Sequence, residues 1–373
     1  MASTKHEIDL VSATDQPSSL EFGNESLTWY DEYHEPVAGL DHFRHVFNAL
    51  LTLCSCVGVV LNVCVIGYSR RLHLSTGDLT HGFVCSMACA DLLVCCFAQP
   101  FEFVLHKLTA AKVATMPDWL CRAQHMLYWL GYSASGLSLT LLNLDKLLFF
   151  KWPLHYGMLA TKRTALISIA ACWLLCGAGS LLMAAPSLLK LSLLGDCGTV
   201  AISAQLYIAY TLAFCILPVL SSAGVSIYLS KLVRDMRRSD GGYASTLFSD
   251  YTVQQRLRAM AFIFITTAWT FAALTPFRLF NVVRIYRAPV WYAHRPSLVT
   301  AHWLGYVLLY MLSLNPSVNP CLTLITYAPY KNLFELRVFK IKAALCALLG
   351  RPIERRETEA HTGRYSVTQS DWV

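Results

Sequence analysis

The sequence predicts an all-α membrane protein, a seven-transmembrane helix bundle followed by a short amphipathic eighth helix. Three observations lead there. Of 373 residues, 55% are apolar and only 14% charged, against roughly 25% charged in an ordinary soluble domain. The charges cluster between seven long runs, each able to supply the roughly 20 residues that cross a bilayer core. A soluble helix packing a core keeps a polar stripe on its far face, and the fourth and fifth runs have none. Intrinsic disorder is excluded as the main state by the same composition, since disordered chains are poor in apolar residues and rich in charge.

The elements follow in order. Residues 1–42 form an acidic arm with nine carboxylates from Glu7 to Asp41, a solvated segment by composition. It carries Asn24-Glu25-Ser26, an N-glycosylation acceptor, and Trp29-Tyr30-Asp31-Glu32-Tyr33, whose acid-flanked tyrosines suit sulfation and steering of a basic ligand. No apolar leader precedes the first run, so the first span is expected to direct insertion. The bundle, residues 43–329, is read from the runs 45–69, 79–101, 123–144, 164–189, 198–230, 259–283 and 296–330. Only Asp91 in the second and Arg278 in the sixth carry charge. Residues 330–349 place Phe334, Val338, Ile341 and Leu345 at helical spacing with Lys331, Arg337, Lys340 and Lys342 between them, the pattern of a helix lying on a membrane surface. Near its end, Cys346 is a candidate palmitoylation site. Residues 350–373 are a polar tail ending Ser370-Asp371-Trp372-Val373, a C-terminus that suits strand addition to a PDZ domain.

Orientation follows from the bases. With the N-terminus outside, 20 Lys and Arg flank the inner ends of the spans and nine the outer, with Arg278 left in the membrane. Positive residues near spans are retained in the cytoplasm, so the N-terminus is predicted to be extracellular and the C-terminus cytoplasmic, in a multi-pass protein of the plasma membrane. Most of the 14 cysteines lie inside spans, where they act as small apolar residues. Cys121, opening the third span, and Cys197, between spans four and five, fall on the outer, oxidising side. A bridge between them would tie that loop to the third helix.

The motifs carry a resemblance. Gly58-Val59-Val60-Leu61-Asn62-Val63, Met87-Ala88-Cys89-Ala90-Asp91-Leu92, Trp173, Pro218, Pro276 and Asn315-Pro316-Ser317-Val318-Asn319-Pro320 stand in order along the seven spans. So do Asp145-Lys146-Leu147 and Pro153-Leu154-His155-Tyr156. Their order and spacing resemble the rhodopsin-like (class A) G-protein-coupled receptors over about 45–345. The resemblance implies a receptor that passes an extracellular signal to a heterotrimeric G protein, with arrestin as a further partner. It also implies that Cys121–Cys197 is the family's extracellular disulfide. Four positions depart from the family: Lys146 for arginine, Leu274 for the sixth-helix tryptophan, Thr323 for the seventh-helix tyrosine and Ser226 for the fifth-helix tyrosine. Weak or absent G-protein coupling is the alternative these departures keep open.

Three candidate sites result. A charged residue at mid-membrane costs about 2.5–3.5 kcal/mol on insertion scales, so Asp91 should face the interior with partners, and Ser135, Asn315 and Asn319 supply oxygens. The resemblance implies a sodium ion among these four; a plain hydrogen-bonded cluster is the alternative. Asp145 and Lys146, with Pro153 and Leu154 in the following loop, form the inner switch, although one more base at the inner mouth is the simpler account of Lys146. Toward the outside, Glu102, Tyr128, Tyr132, Arg278, Asn281, Tyr306 and Tyr310 would line the ligand cavity, unless Glu102 and Arg278 pair with one another as structure. Tyr128 stands where amine receptors of the family carry an aspartate, so a peptide is favoured over a biogenic amine.

Other classes fare less well. A transporter should show repeats or paired broken helices, and neither is evident; a seven-helix transporter or channel remains the alternative. A membrane enzyme should carry a nucleophile-base or metal motif, and no His-x-x-x-His or Gly-x-Ser-x-Gly occurs. No nucleic-acid face is expected, because topology accounts for the basic clusters.

Overall fold

The computed structural model describes residues 39–101, 118–189, 204–238, 251–293 and 295–349. Within them lie α1 (Leu40–Thr76), α2 (Thr80–Leu93, continued by a π turn at Val94–Ala98), α3 (Asp118–Lys151), the short α4 (Pro153–Leu159) and α5 (Lys162–Leu189). Next come α6 (Ala204–Tyr210, a π turn at Thr211–Ile216, then Leu217–Arg238), α7 (Tyr251–Ala293), α8 (Arg295–Thr326) and α9 (Ala328–Leu348). No strand occurs among the described residues. The helices α1, α3 and α7 outrun their uncharged runs, α7 most of all. An uncharged run ends at the first charge, whereas a helix continues through the interfacial layer, where Lys and Arg reach water.

The bundle is polar within and apolar without. Leu50, Leu53, Val57 and Val60 of α1, and Leu166, Leu174 and Leu181 of α5, are exposed, while Asn62, Asp91, Asn143, Lys146 and Thr323 are buried. A water-soluble protein of this size rarely exposes so much contiguous apolar surface; hydrocarbon on the outside accounts for it. Six of the helices are long and apolar enough to span a bilayer by length and composition. Missing from those six is α3, the third span predicted from sequence. It runs through the centre against α2, α5, α6 and α7, so Gln124, Ser133, Ser135, Ser138 and Asn143 are buried against protein and lower its hydropathy without meeting lipid.

Close approach depends on small residues, as expected where lipid offers no hydrophobic drive between helices. A Cβ on Gly131 of α3 would overlap the Val94 side chain and lie 3.2 Å from the Ala90 carbonyl oxygen. On α1, a Cβ at Gly58 would lie 2.7 Å from Ser317 Oγ and 2.9 Å from Cys95 Sγ. Side-chain bonds fix the registers. Asn62 Nδ2 donates to the Gly58 carbonyl at 2.9 Å and to the Pro316 carbonyl at 3.0 Å, joining α1 to α8 where Pro320 removes a further helical donor. Trp173 Nε1 donates to Ser86 Oγ at 3.0 Å and Ser86 meets Ser138 at 2.8 Å, tying α5, α2 and α3.

Gly77, at φ 68°, ends α1 in the left-handed region and donates its N–H to the His73 carbonyl, a turn that only glycine takes without strain. That tight stop delivers Asp78 and Thr80 to the mouth of the bundle. At the other end of the chain, Tyr327 breaks α8 from α9. Leu333 and Phe334 of α9 pack on the bundle, while Val338, Ile341 and Leu345 are exposed, the stripe read from the sequence.

Candidate functional site

At the end of the bundle that the sequence predicts to face the cytoplasm, Lys146 is fully buried, and its Nζ lies 2.8 Å from Asp145 Oδ2. It also donates to Thr80 Oγ1, whose own hydroxyl donates to Asp78 Oδ1 at 2.7 Å. Tyr156, from α4, donates to Asp145 Oδ1 at 2.8 Å. Each carboxylate oxygen of Asp145 therefore has a donor, and the ammonium faces two oxygens out of water. Leaving either charge behind in such a pair typically costs about 3–5 kcal/mol. Pro153 sits at the first turn of α4, where its missing N–H costs nothing. Leu154 beside it is 91% exposed, an apolar side chain open to a partner. Thr80 and Tyr156 join this group without having been expected there from sequence; the capping pattern Asp78-Leu79-Thr80 is the signal that could have found the first.

Midway along the bundle, Asn319 Nδ2 donates to Asp91 Oδ2 at 2.9 Å. Ser135 lies beside the same carboxylate. The four residues assigned from sequence are all buried. Asp91 Oδ1, Asn315 Oδ1 and Asn319 Oδ1 have no hydrogen-bond partner. Buried oxygens without donors are costly, and oxygens are the ligands that hard cations take, so this donor set fits a small hard cation. One formal negative charge matches a monovalent ion better than a divalent one.

The departures from the family pattern acquire contacts here. Ser226 Oγ donates to Asn143 Oδ1 at 2.8 Å, and Asn143 Nδ2 donates to Thr267 Oγ1 at 3.2 Å, so a serine joins α6 to α3 and α7 without a ring. Leu274 fills an apolar cluster with Val94, Tyr132, Val219 and Leu312. Thr323 turns back on its own helix, donating to the Asn319 carbonyl at 2.9 Å. One turn later Tyr327 stacks on Phe262 of α7, with ring centroids 5.1 Å apart and planes 5° apart. Tyr330 stacks on Tyr327 in turn and meets Ser69 Oγ at 2.8 Å.

The outer residues divide. Tyr128 and Tyr132 stand together on α3, ring centroids 4.7 Å apart. Arg278 of α7 is buried with its guanidinium carbon 4.2 Å from the Trp129 ring centroid, and Asn281, one turn on, has an unpartnered Oδ1. Tyr310 instead turns to α1, donating to Asn48 Oδ1 at 2.9 Å and packing on Phe43 and Phe47. Tyr306 lies beside it, at 6.4 Å between centroids. Tyr310 therefore contributes to the α1–α8 seam, because the apolar edge of α1 offers it rings to pack on. Between the groups, Gln99 links Ser55 of α1 to the Ser313 carbonyl of α8, a junction that no sequence motif marks. Glu102, Cys197 and Asn24 lie outside the described residues, as does the Cys121 side chain; Cys346 is half-buried on α9.

The sequence pattern of the 7 transmembrane receptor (rhodopsin family) matches residues 50–322. Among relatives, the G-protein coupled receptor aex-2 of Caenorhabditis elegans is 26% identical over 240 residues, 64% of this chain and 68% of its own length. Galanin receptor type 2 of Mus musculus is 33% identical over 135 residues, 34% of this chain and 33% of the receptor. Dopamine receptor 1 of Drosophila melanogaster is 33% identical over 135 residues, 35% of this chain and 24% of the receptor. With the pattern matched along most of the chain, and with helices and motifs in the corresponding order, this protein is a multi-pass membrane receptor of the rhodopsin family and not an enzyme.

Proposed function

We propose that the chain couples an extracellular ligand to a heterotrimeric G protein by opening its inner mouth, with a peptide favoured over a biogenic amine. The observation that supports it best is the closed Asp145–Lys146–Thr80 group. It is a buried charge pair at the one end where Leu154 stands exposed, and it must come apart before a partner can enter between α3 and α7. The peptide reading rests on Tyr128, a tyrosine where an amine would need a carboxylate, and on the acidic N-terminal arm. The N-terminus is outside and the C-terminus inside in this reading, as the bases require. Arrestin and a PDZ protein would meet the inner surface and the tail, and a Cys121–Cys197 bridge would hold the outer loop.

Asp91, Ser135, Asn315 and Asn319 would hold sodium in the closed state. A bound cation would neutralise Asp91 and satisfy the three orphan oxygens, so the closed arrangement gains the binding free energy. Purified receptor should unfold at a higher temperature in sodium than in choline at equal ionic strength, and Asp91→Asn should remove the difference. Equal midpoints in both salts would leave a plain hydrogen-bonded cluster.

A second-messenger and arrestin panel in transfected cells tests the main reading, run without ligand and then against peptide and amine libraries. Response to a peptide supports it. Surface-expressed receptor that never couples, even with Asp145→Asn, supports the alternative of a receptor-like protein without G-protein output.

A further inference from the structure

We infer that Arg278 is an anion anchor that takes a carboxylate of the ligand edge-on. This deepens the receptor reading above and rests on it. Arg278 is buried within the bundle, 2% exposed, with its guanidinium over the Trp129 ring. Tyr128 and Tyr207 stand beside it. Its Nε and Nη2 have no hydrogen-bond partner, and among the described residues no carboxylate pairs with it. Those two nitrogens form one straight edge of the guanidinium, with parallel N–H bonds spaced to meet both oxygens of a single carboxylate. The Trp129 ring stabilises the cation from its face and leaves the Nε and Nη2 donors unused.

A buried charge with two of its nitrogens unpartnered is costly unless something supplies the acceptor. A hydroxyl or amide carbonyl would satisfy one nitrogen; a carboxylate satisfies both and cancels the charge. The surroundings are aromatic, so the fitting group is a carboxylate carried beside an apolar or aromatic side chain. A peptide offers this as its free C-terminus or as an acidic side chain. A cation, as in a biogenic amine, would be repelled.

The experiment is thermal unfolding of the purified full-length receptor with millimolar probes. N-acetyl-phenylalanine presents an α-carboxylate, N-acetyl-glutamyl-phenylalanine amide a side-chain carboxylate, and N-acetyl-phenylalanine amide neither. Expected is a rise in the unfolding midpoint of about 2–4 °C with one or both acids and none with the neutral amide. Whichever acid acts identifies the source. Arg278→Gln should abolish the rise, while Arg278→Lys, which keeps the charge and loses the fork, should retain less than half. If Arg278→Gln does not fold, the comparison of acid with amide on the native protein still decides.

Equal effects of acid and amide, no effect of either acid, or a rise that persists in Arg278→Gln would each overturn the anchor. So would a rise seen only in Glu102→Gln, which would assign the guanidinium edge to the chain's own carboxylate. Binding is read without any G protein, so the two readings fail separately. Basal signalling without carboxylate binding sinks the anchor alone, and carboxylate binding without coupling sinks the receptor output alone.

Discussion

Lysine at position 146 is held by two oxygens in a space closed to water. A guanidinium is larger, planar and richer in donors than an ammonium, and the Asp145 and Thr80 oxygens that satisfy Nζ cannot satisfy all its N–H groups. Arginine would therefore favour the open mouth, where backbone carbonyls of an entering partner supply acceptors. One charged hydrogen bond is worth about 1.5–3 kcal/mol, so Lys146→Arg should raise basal or agonist-driven signalling by roughly ten- to a hundredfold at unchanged surface amount. Second-messenger output normalised to surface label measures this; unchanged output would place the limit on coupling elsewhere, at Leu274 or Thr323. Asp145 and Lys146 are legible as neighbours in the sequence. Their acceptor Thr80, 66 residues before Lys146, is not, because only the packing of α2 on α3 brings it there.

Among the elements, α3 depends most on glycine at a chosen place. Gly131 has α2 against it, with the Val94 side chain and the Ala90 carbonyl where a methyl would go, whereas a methyl on Gly136 of the same helix would meet nothing within 4 Å. Overpacking a closed contact costs about 1–3 kcal/mol, while Ala for Gly inside a helix gains up to about 1 kcal/mol. Gly131→Ala should lower the unfolding midpoint and surface expression, and Gly136→Ala should leave both equal or higher. Thermal unfolding of the two variants side by side decides, and a harmless Gly131→Ala would mean that α2 yields easily. Six spans are legible in the sequence because lipid-facing helices must be apolar along their length. The third is legible as an uncharged run despite its polar residues, whose partners only the assembled bundle reveals. The π turns at Val94–Ala98 and Thr211–Ile216 have no sequence signal, since a π turn is set by what packs around it and not by local preference. The outer residues are legible as polar groups on the right spans. That Tyr310 turns to α1 while Arg278 stacks on Trp129 depends on rotation of α7 and α8 about their axes, which hydropathy does not specify.

At the scale of the whole molecule, side chains cross between helices at the end that the proposed function reads as cytoplasmic, and in that reading they hold the closed state. Lys146 and Asp145 secure α3 to α2 and α4, while Phe262 stacked on Tyr327 secures α7 to the α8–α9 break. Tyr330 extends the stack and reaches His81 at 3.1 Å and Ser69 at 2.8 Å, so α1, α2, α7 and α9 meet around three buried rings. Thr323 lacks a ring, and the aromatic contact lies one turn nearer the mouth than the seventh-helix motif would put it. In the proposed opening, outward movement of α7 would separate Phe262 from Tyr327, and the stacking free energy, about 0.5–1.5 kcal/mol beyond area burial, would bias the receptor toward closure. Phe262→Leu and Tyr327→Leu keep apolar volume and remove the ring pair, so each should raise basal signalling several-fold. If the pair acts as a unit, adding Phe262→Leu to Tyr327→Leu should have no further effect, because no stacking between those two rings is left to remove. Additive effects would mean that the two rings restrain different helices through separate neighbours, and unchanged basal output in both would leave Lys146 as the principal restraint at the mouth.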